Sequence, residues 1–235
     1  MSQAQPSDPD AAARSAPDRR SLRELLARSL PNVRPETLAR LIETVRARTV
    51  QPGHPIYRQG DPVPLTIIVE GYGAAQRTTV DGKEIVSGVA LAGTLFGWSG
   101  MAAVPSSVEL VALTACEIGQ WQGAEVRKLA VGDPGLALAA IDSMAWSLHQ
   151  TVQRIEGFLH QDARLHVIRV LAQYRELFFD DPPILTRSHL PGLVGTSREM
   201  TGRVLRQLER EGTVARVGRD RLKLLRPEQL EVATE

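Results

Sequence analysis

The feature that most constrains the fold is the stretch from residue 197 to 212, which has the pattern of one amphipathic helix. Ser197 is a good N-cap residue, because its hydroxyl can accept a backbone N–H of the first turn. Gly212 favours the left-handed conformation that ends many helices. Val204, Leu205 and Leu208 recur at helical spacing and predict the buried stripe. The sequence therefore predicts a helix that begins after Ser197 and ends at Gly212.

The surface opposite this stripe carries residue types that bind DNA bases. We expect Arg198, Glu199, Thr201, Gly202 and Arg203 to lie on the N-terminal half of that surface. Two arginines and an acid, with no bulky side chain beside them, suit base edges in a DNA major groove. A solvated helix is the alternative, because Glu199 and Arg203 stand at i,i+4 and can form an ion pair.

The flanking segments favour the DNA-binding interpretation. Thr186 is predicted to cap a shorter helix, which Pro191 bends because it removes one intrahelical bond. Gly195 then makes a tight turn into the longer helix, and this combination is a helix-turn-helix. After it, residues 213–225 alternate apolar and polar positions around a turn at 218–220, which predicts a two-stranded wing.

These residues carry a resemblance to a known family. The segment from Leu185 to Leu225 resembles the winged helix of the bacterial cyclic-AMP receptor protein and fumarate–nitrate regulator family. The run Gly195-Thr-Ser-Arg-Glu199, followed by Arg203, is similar to the receptor-protein branch, whose pattern implies reading of a TGTGA-like half-site. Met200 departs from that pattern, because threonine is usual there, and this puts one phosphate contact in doubt.

The resemblance assigns roles to individual side chains. Arg198 and Arg203 would each offer paired donors to guanine, and Glu199 would accept from the N4 amine of cytosine. Other side chains would bind phosphates and fix the register without choosing the sequence. These predicted phosphate contacts are Ser197, Thr186, Arg187 and Arg219.

A β-rich region precedes the helical part of the chain. Short apolar runs between Thr49 and Gln122 are separated by glycines and prolines, and Asp81-Gly82 is a strong hairpin signal. Many short strands of this kind indicate a sandwich or jelly-roll barrel. The predicted strands are Ile56–Tyr57, Leu65–Val69, Gly73–Gln76, Ile85–Val86, Val108–Leu113 and Cys116–Ile118. The region resembles the same family's cyclic-nucleotide-binding barrel over 69–73, 81–84 and 93–97.

The fold class that follows is α+β: a β jelly-roll barrel, a long dimerisation helix and a C-terminal winged helix-turn-helix. Ser21-Leu-Arg-Glu24 fits a capping box that opens a helix through Leu30, and Pro35 starts a second helix. The predicted domains are a disordered tail at 1–20, a sensor barrel with flanking helices at 21–132, the dimerisation helix at 133–160 and the DNA-binding domain at 161–235, with a hinge at Gln161–Asp162 and a first helix at 163–179.

A long helix after Asp133-Pro134 shows the pattern of a dimer seam. Its apolar residues alternate by three and four, as in a short coiled coil. The predicted interface residues are Ile141, Met144, Leu148, Val152, Ile155 and Leu159. A core helix packed on the barrel is the alternative. The family resemblance favours the homodimer, and a two-fold reader of double-stranded DNA requires one.

Charge distribution and composition also bear on the class of protein. The net charge is +1, but residues 187–226 contain ten basic and four acidic residues, so a basic end is attached to a weakly acidic body. No segment has the apolar length of a membrane span, and a cytoplasmic protein is expected. No nucleophile–base pair, phosphate loop or metal-ligand spacing indicates an enzyme. DNA and, by resemblance, RNA polymerase are the expected partners.

The effector is not identified by the sequence. Family members that bind cyclic nucleotides use a Gly-Glu pair for the ribose and an arginine for the phosphate. In this sequence Thr94 follows Gly93 in place of the glutamate, and Ser106 or Ser107 stands nearest the position of the arginine. No Lys or Arg occurs between Glu84 and Val126. Cyclic AMP is therefore expected to bind weakly at most. The single Cys116 excludes a four-cysteine cluster. A haem or small-molecule sensor, with His149 or His160 as an axial ligand, and a ligand-independent regulator remain alternatives.

Overall fold

A computed structural model describes residues 19–78, 84–160 and 163–231. Two helices open this part of the chain, α1 (Arg19–Ser29) and α2 (Pro35–Thr44). Pro35 starts α2 as predicted. The predicted capping box is wrong, because α1 already begins at Arg19 and Ser21 lies inside its first turn. Residues 1–18, which form most of the predicted tail, lie outside the described residues.

The β-rich region forms a jelly roll of two four-stranded antiparallel sheets. The first has the order β1-β8-β3-β6, and the second has the order β2-β7-β4-β5. The strands are β1 (Arg46–Val50), β2 (Pro55–Tyr57), β3 (Leu65–Glu70), β4 (Gly73–Thr78), β5 (Glu84–Ala90), β6 (Leu95–Phe96), β7 (Glu109–Ala112) and β8 (Cys116–Trp121). A short 3₁₀ helix, Trp98–Ala102, follows β6.

Each predicted strand coincides with one of these strands, and two strands were not predicted. β1 was not predicted because two of its five residues, RARTV, are arginines and no apolar run marks it. β6 was not predicted because it has only two residues. The predicted Asp81-Gly82 turn lies outside the described residues, although β4 and β5 pair antiparallel on either side of it.

Two helices connect the barrel to the C-terminal domain, α3 (Gly123–Gly132) and α4 (Pro134–His160). Asp133 anchors the junction, since its Oδ1 accepts the backbone N–H of Gly135 at 2.9 Å. Its Oδ2 accepts the backbone N–H of Arg34 at 2.9 Å, which ties α2 to the start of α4. Burial opposes ionisation of Asp133, but hydrogen bonds from Thr37 and the surrounding backbone outweigh it and lower its pKa. The described residues contain no helix long and apolar enough to span a membrane.

The C-terminal domain is a winged helix-turn-helix. Its elements are α5 (Ala163–Gln173), α6 (Arg175–Phe179), α7 (Leu190–Val194), α8 (Arg198–Arg210), β9 (Val214–Val217), β10 (Arg221–Leu224) and α9 (Glu228–Glu231). The single predicted helix over 163–179 is wrong, because the backbone leaves the helical conformation at Tyr174. The break places Leu177 and Phe178 in the core, where the Leu177 carbonyl accepts the backbone N–H of Leu185 at 2.8 Å.

The barrel and the C-terminal domain share one apolar core. Ala74 and Val86 of the second sheet belong to the same buried cluster as Leu190, Leu205 and the other core residues of the helical domain. Helix α7 packs directly on β5. At Gly192 an added Cβ would lie 2.3 Å from the carbonyl oxygen of Val86, so this close approach requires glycine. No pattern in the sequence indicated this contact.

Candidate nucleic-acid interface

Helix α8 begins and ends as its sequence predicts. The Ser197 hydroxyl accepts the backbone N–H of Met200 at 3.1 Å and so caps the helix. Gly212 follows the last turn with a φ of 74°. Val204, Leu205 and Leu208 are buried on the inner face. The opposite face of the N-terminal half is open to solvent, and we call α8 the reading helix.

Thr201 does not belong to the open face. It was expected on the surface, but its side chain is buried. Its hydroxyl donates to the Ser197 carbonyl at 3.0 Å and lies 2.8 Å from the hydroxyl of Thr196. The physical reason is spacing, because Thr201 precedes Val204 and Leu205 by three and four residues and therefore shares their face. Thr201 fixes the turn before the reading helix.

Arg198, Glu199 and Arg203 are brought together on the open face, and all three are exposed. The closest Glu199–Arg203 approach joins Oε1 to Nη2 at 3.7 Å, and the two side chains are 84% and 65% exposed. An ion pair so long and so hydrated is weak. Little free energy is therefore lost when either side chain leaves this contact for another partner. Met200 lies beside them and is 37% exposed.

The helix before the turn is shorter than predicted. Helix α7 begins at Leu190, so residues 186–189 form a turn rather than its first residues. Pro191 consequently lies in the first helical turn, where no intrahelical N–H is required, and the predicted bend is wrong. Gly195 adopts the left-handed conformation with a φ of 77°, as its predicted role in the tight turn requires.

Thr186 stabilises that turn instead of capping α7. Its backbone N–H donates to Nδ1 of His189 at 2.9 Å, and its hydroxyl lies 2.8 Å from the Ser188 hydroxyl. Burial lowers the pKa of His189, while the charge of Asp220 raises it by a smaller amount. His189 is therefore held neutral, with Nδ1 as an acceptor. Sequence reasoning did not identify this histidine.

The wing is fastened to the same turn. β9 and β10 pair antiparallel, with Val217 opposite Arg221, as the alternation predicted. The Arg187 backbone N–H donates to the Asp220 carbonyl at 2.9 Å, and the Ser188 hydroxyl donates to the Asp220 carboxylate at 3.0 Å. Arg219, the residue before Asp220, is exposed at the wing tip. The predicted phosphate contacts Arg187 and Arg219 thus lie on segments joined by hydrogen bonds.

An ion pair holds the far end of the reading helix. Arg164, on α5, donates through Nη2 to Oε2 of Glu211 at 2.6 Å. Gln207 donates to the other carboxylate oxygen at 2.9 Å. The hydrogen bond from Arg164 is the main reason why the pKa of Glu211 is lowered, and the one from Gln207 adds to it. No sequence pattern indicated this long-range pair.

Helix α4 presents an apolar face to solvent. Of the predicted seam residues, Ile141 is 56%, Met144 45%, Leu148 66% and Val152 41% exposed. Leu138 and Trp146 on the same helix are also exposed. The side chains of Ile155 and Leu159 lie outside the described residues. Exposed apolar side chains in a row indicate a surface that a partner covers.

Apolar side chains from both sheets of the barrel form a buried cluster. Val50, Ile56, Ile68, Leu110 and Ile118 are among the residues that form a buried cluster between the sheets. Ser106, nearest the expected phosphate position, donates its hydroxyl to the Val108 carbonyl at 2.6 Å. Gly93 lies against α1, since its carbonyl accepts the Ser29 hydroxyl at 2.9 Å, and Thr94 is exposed.

The cysteine and the histidines weighed as possible ligands lie in different surroundings. Cys116 is buried, and burial raises the pKa of its thiol. His54 and His149 are exposed, with the His149 ring 5.8 Å from that of Trp146, and the side chain of His160 lies outside the described residues. The described residues contain no group of three or more His, Cys, Asp or Glu side chains that could hold a metal ion.

The barrel, the open helix and the wing together have the architecture of a DNA-binding transcriptional regulator. Residues 47–133 match the cyclic nucleotide-binding domain family, and residues 166–233 match the Crp-like helix-turn-helix domain family. The chain belongs to the Crp/Fnr family of transcriptional regulators. Members of this family bind DNA and typically act as dimers.

Individual relatives agree with this assignment. The cAMP-activated global transcriptional regulator Vfr of Pseudomonas aeruginosa is 29% identical over 145 residues, which is 57% of this chain and 68% of that protein. FixK2 from Bradyrhizobium japonicum has a similar structure, with a TM-score of 0.65 at 18% identity over 81% of this chain and 97% of that chain. The c-di-GMP responsive global regulator CLP of Xanthomonas campestris gives 0.64 at 22% identity over 81% and 99%. At these identities the two structures support the fold alone.

Proposed function

We propose that this protein is a dimeric, sequence-specific regulator that reads a TGTGA-like palindrome. One observation carries the proposal: Arg198, Glu199 and Arg203 are all exposed on the first two turns of a capped helix that a wing flanks. Arginine can donate twice to guanine O6 and N7, and a carboxylate accepts from the cytosine N4 amine. The three side chains together suit a half-site that contains G·C pairs, and the family's TGTGA pattern has two of them.

Phosphate contacts set the register in this proposal. Ser197 and Arg187 lie at a helix N-terminus and in the turn before α7, and Arg219 lies at the wing tip. Thr186 contributes by holding the turn that carries Arg187, since its backbone N–H is fixed by His189. Contacts of this kind bind every sequence alike and weaken with salt.

The dimer forms through the exposed apolar face of α4. Ile141, Met144, Leu148 and Val152 pack against the same residues of a second copy, and Ile155 and Leu159 extend the seam. A two-fold dimer reads two half-sites about one helical turn apart, roughly 10 bp centre to centre. The proposal also includes RNA polymerase as a partner and a cytoplasmic location.

Cyclic AMP is not the effector in this proposal. The stretch from Glu84 to Val126 has no Lys or Arg, and a buried phosphate without a cation loses hydration that nothing replaces. Two relatives respond to nucleotides, as their names state, but Vfr and CLP respond to different ones. The alternatives are a haem or other small-molecule sensor, and a regulator that needs no effector.

Fluorescence anisotropy on the full chain tests the proposal. A labelled duplex with TGTGA and TCACA half-sites should bind about 100-fold or more tightly than one with scrambled half-sites, at equal salt. Equal affinities would contradict sequence-specific reading. Binding in the absence of any added ligand would select the effector-independent alternative, and an absorption spectrum with a Soret band would select the haem alternative. Calorimetry with cyclic AMP should give no dissociation constant in the micromolar range or below.

A further inference from the structure

Arg206 lies on the open face of the reading helix, one turn beyond the side chains proposed to read bases. It follows Gly202 by four residues and Arg203 by three, so its angular position on the helix lies between theirs. The buried stripe that includes Val204 and Leu208 is on the other side. The Arg206 side chain is exposed. The open face therefore presents a further guanidinium group to solvent.

The Arg206 guanidinium lies over the position of Gly202. Its Nη1 is 3.7 Å from the point that a Cβ of residue 202 would occupy. Long side chains on a helix point toward its N-terminus and cover the preceding turn. The donors of Arg206 are thus carried back from the third turn of the helix to the second, where Arg203 lies. Because residue 202 is glycine, no side chain of its own occupies this space.

Like charges surround Arg206 on this face. Arg203 precedes it by three residues and Arg210 follows it by four, and both are exposed. Like charges at this spacing repel each other and destabilise the helix by a small amount. Arg206 forms no ion pair with another residue of the described part of the chain. A polyanion that covers the face relieves this repulsion, and DNA is such a polyanion.

The place of Arg206 on the face favours a base contact over a phosphate contact. Around the helix axis it lies between Arg198 and Arg203, in the middle of the open face rather than at its edge. When a helix enters the major groove, side chains in the middle of its outer face point at base edges, and those at its flanks reach the phosphates. The guanidinium of Arg206 can donate twice to O6 and N7 of a guanine.

We propose that Arg206 is a fourth base-reading side chain, which donates to a guanine beside the pairs read by Arg198, Glu199 and Arg203. It can do so only if α8 lies in the major groove, so this inference rests on the proposed function. TGTGA has two G·C pairs, and the other three side chains are proposed to read them. The preferred half-site of this protein should therefore extend beyond TGTGA by one G·C pair.

Selection from duplexes with fixed TGTGA and TCACA half-sites and randomised bases on both sides of each tests this inference. The wild-type full chain should enrich a G·C pair at one randomised position of each half-site by about tenfold over the other base pairs. Arg206→Ala should lose that enrichment. It should still bind the fixed half-sites better than scrambled ones, which shows in the same experiment that the variant is folded.

Arg210→Ala is the matched control, because it removes the same charge from the same face one turn further on. The Nε of Arg210 donates to the Arg206 carbonyl at 3.3 Å, within the helix itself. This variant should keep the enriched G·C pair and weaken all sequences alike.

Two results would overturn the role of Arg206 alone. One is a wild-type chain that prefers the fixed half-sites but enriches no base pair beside them. The other is an Arg206→Ala variant that, like Arg210→Ala, keeps the enrichment and only flattens the salt dependence, which would mean a phosphate contact. A wild-type chain that binds fixed and scrambled half-sites equally would instead overturn the proposed function, and this inference with it.

Discussion

At the scale of single residues, His189 stabilises the turn at 186–189, to which the wing is hydrogen-bonded. Its Nδ1 accepts the Thr186 N–H, and Asp220 of the wing approaches the same turn through Arg187 and Ser188. The bond to Thr186 requires an unprotonated Nδ1. Protonation of the His189 imidazole therefore disturbs the turn that carries the proposed phosphate contact Arg187.

The stability of the protein should consequently depend on pH through His189. Burial lowers its pKa in the folded state, so the unfolded chain binds the proton more readily. The stabilisation is fully present above the unfolded pKa of about 6.5 and is lost as the pH falls below it. Chemical unfolding between roughly pH 7.5 and 5.5 should show this loss. His189→Gln should be less stable at neutral pH and should show a smaller loss on acidification; an unchanged pH profile would refute this role.

Residue roles were predictable where they depend on local chemistry. Ser197, Gly195 and Gly212 were placed correctly, because capping and left-handed turns are properties of a few adjacent residues. Thr201 was misplaced, because the stripe was read from Val204 and was not extended back to the first turn. Arg164 and Glu211 pair across 47 positions of sequence, and no local pattern carries that information.

At the scale of elements, the exposed face of α4 predicts the oligomeric state. Leu148→Glu introduces a charge into the proposed dry seam, which should weaken the dimer by an amount on the order of 3 kcal/mol. Light scattering at micromolar concentration should then show monomers. Ser143→Glu adds the same charge to the same helix away from the row of Ile141, Met144 and Leu148, and should remain dimeric. A dimeric Leu148→Glu variant would refute the seam.

The contact of α7 with β5 makes a second prediction at this scale. A Cβ at position 192 would lie 2.3 Å from the Val86 carbonyl oxygen and 2.8 Å from the Ile85 side chain. Gly192→Ala should therefore destabilise the protein by about 1–3 kcal/mol. Gly132→Ala is the matched control, because an added Cβ there meets nothing within 4 Å. Equal denaturation midpoints for the two variants would contradict a tight contact between barrel and α7.

Elements with strong local signals were predicted, and those defined by their partners were not. The strands between glycines and prolines and the helix after Asp133-Pro134 follow from periodicity and capping. Strand β1 is set by its pairing with β8, from Arg46↔Gln120 to Val50↔Cys116. Helix α7 is short because the residues before it form a hydrogen-bonded turn, in which Thr186 donates to His189 and Ser188 donates to Asp220. Tertiary contacts therefore determine where these elements begin and end.

At the scale of the whole molecule, basic charge is concentrated in the C-terminal domain, and packing joins that domain to the barrel. The segment 187–226 carries ten basic and four acidic residues, whereas the chain as a whole is nearly neutral. That asymmetry concentrates attraction for phosphate on the reading side. The shared core through Ala74 and Val86 joins the barrel to the DNA-binding unit. Mechanical continuity of this kind allows events in one domain to affect the other.

Selection of binding sites from randomised DNA tests the central claim most directly. The wild-type chain should select an inverted repeat with half-sites near TGTGA and TCACA, roughly 10 bp apart centre to centre. Glu199→Ala should lose about 1–3 kcal/mol of discrimination at one G·C pair of each half-site. Arg187→Ala is the control, since it should keep the wild-type preference and only flatten the salt dependence. Selection of no inverted repeat, or a preference that Glu199→Ala leaves intact, would contradict the assignment of α8 as the reading helix.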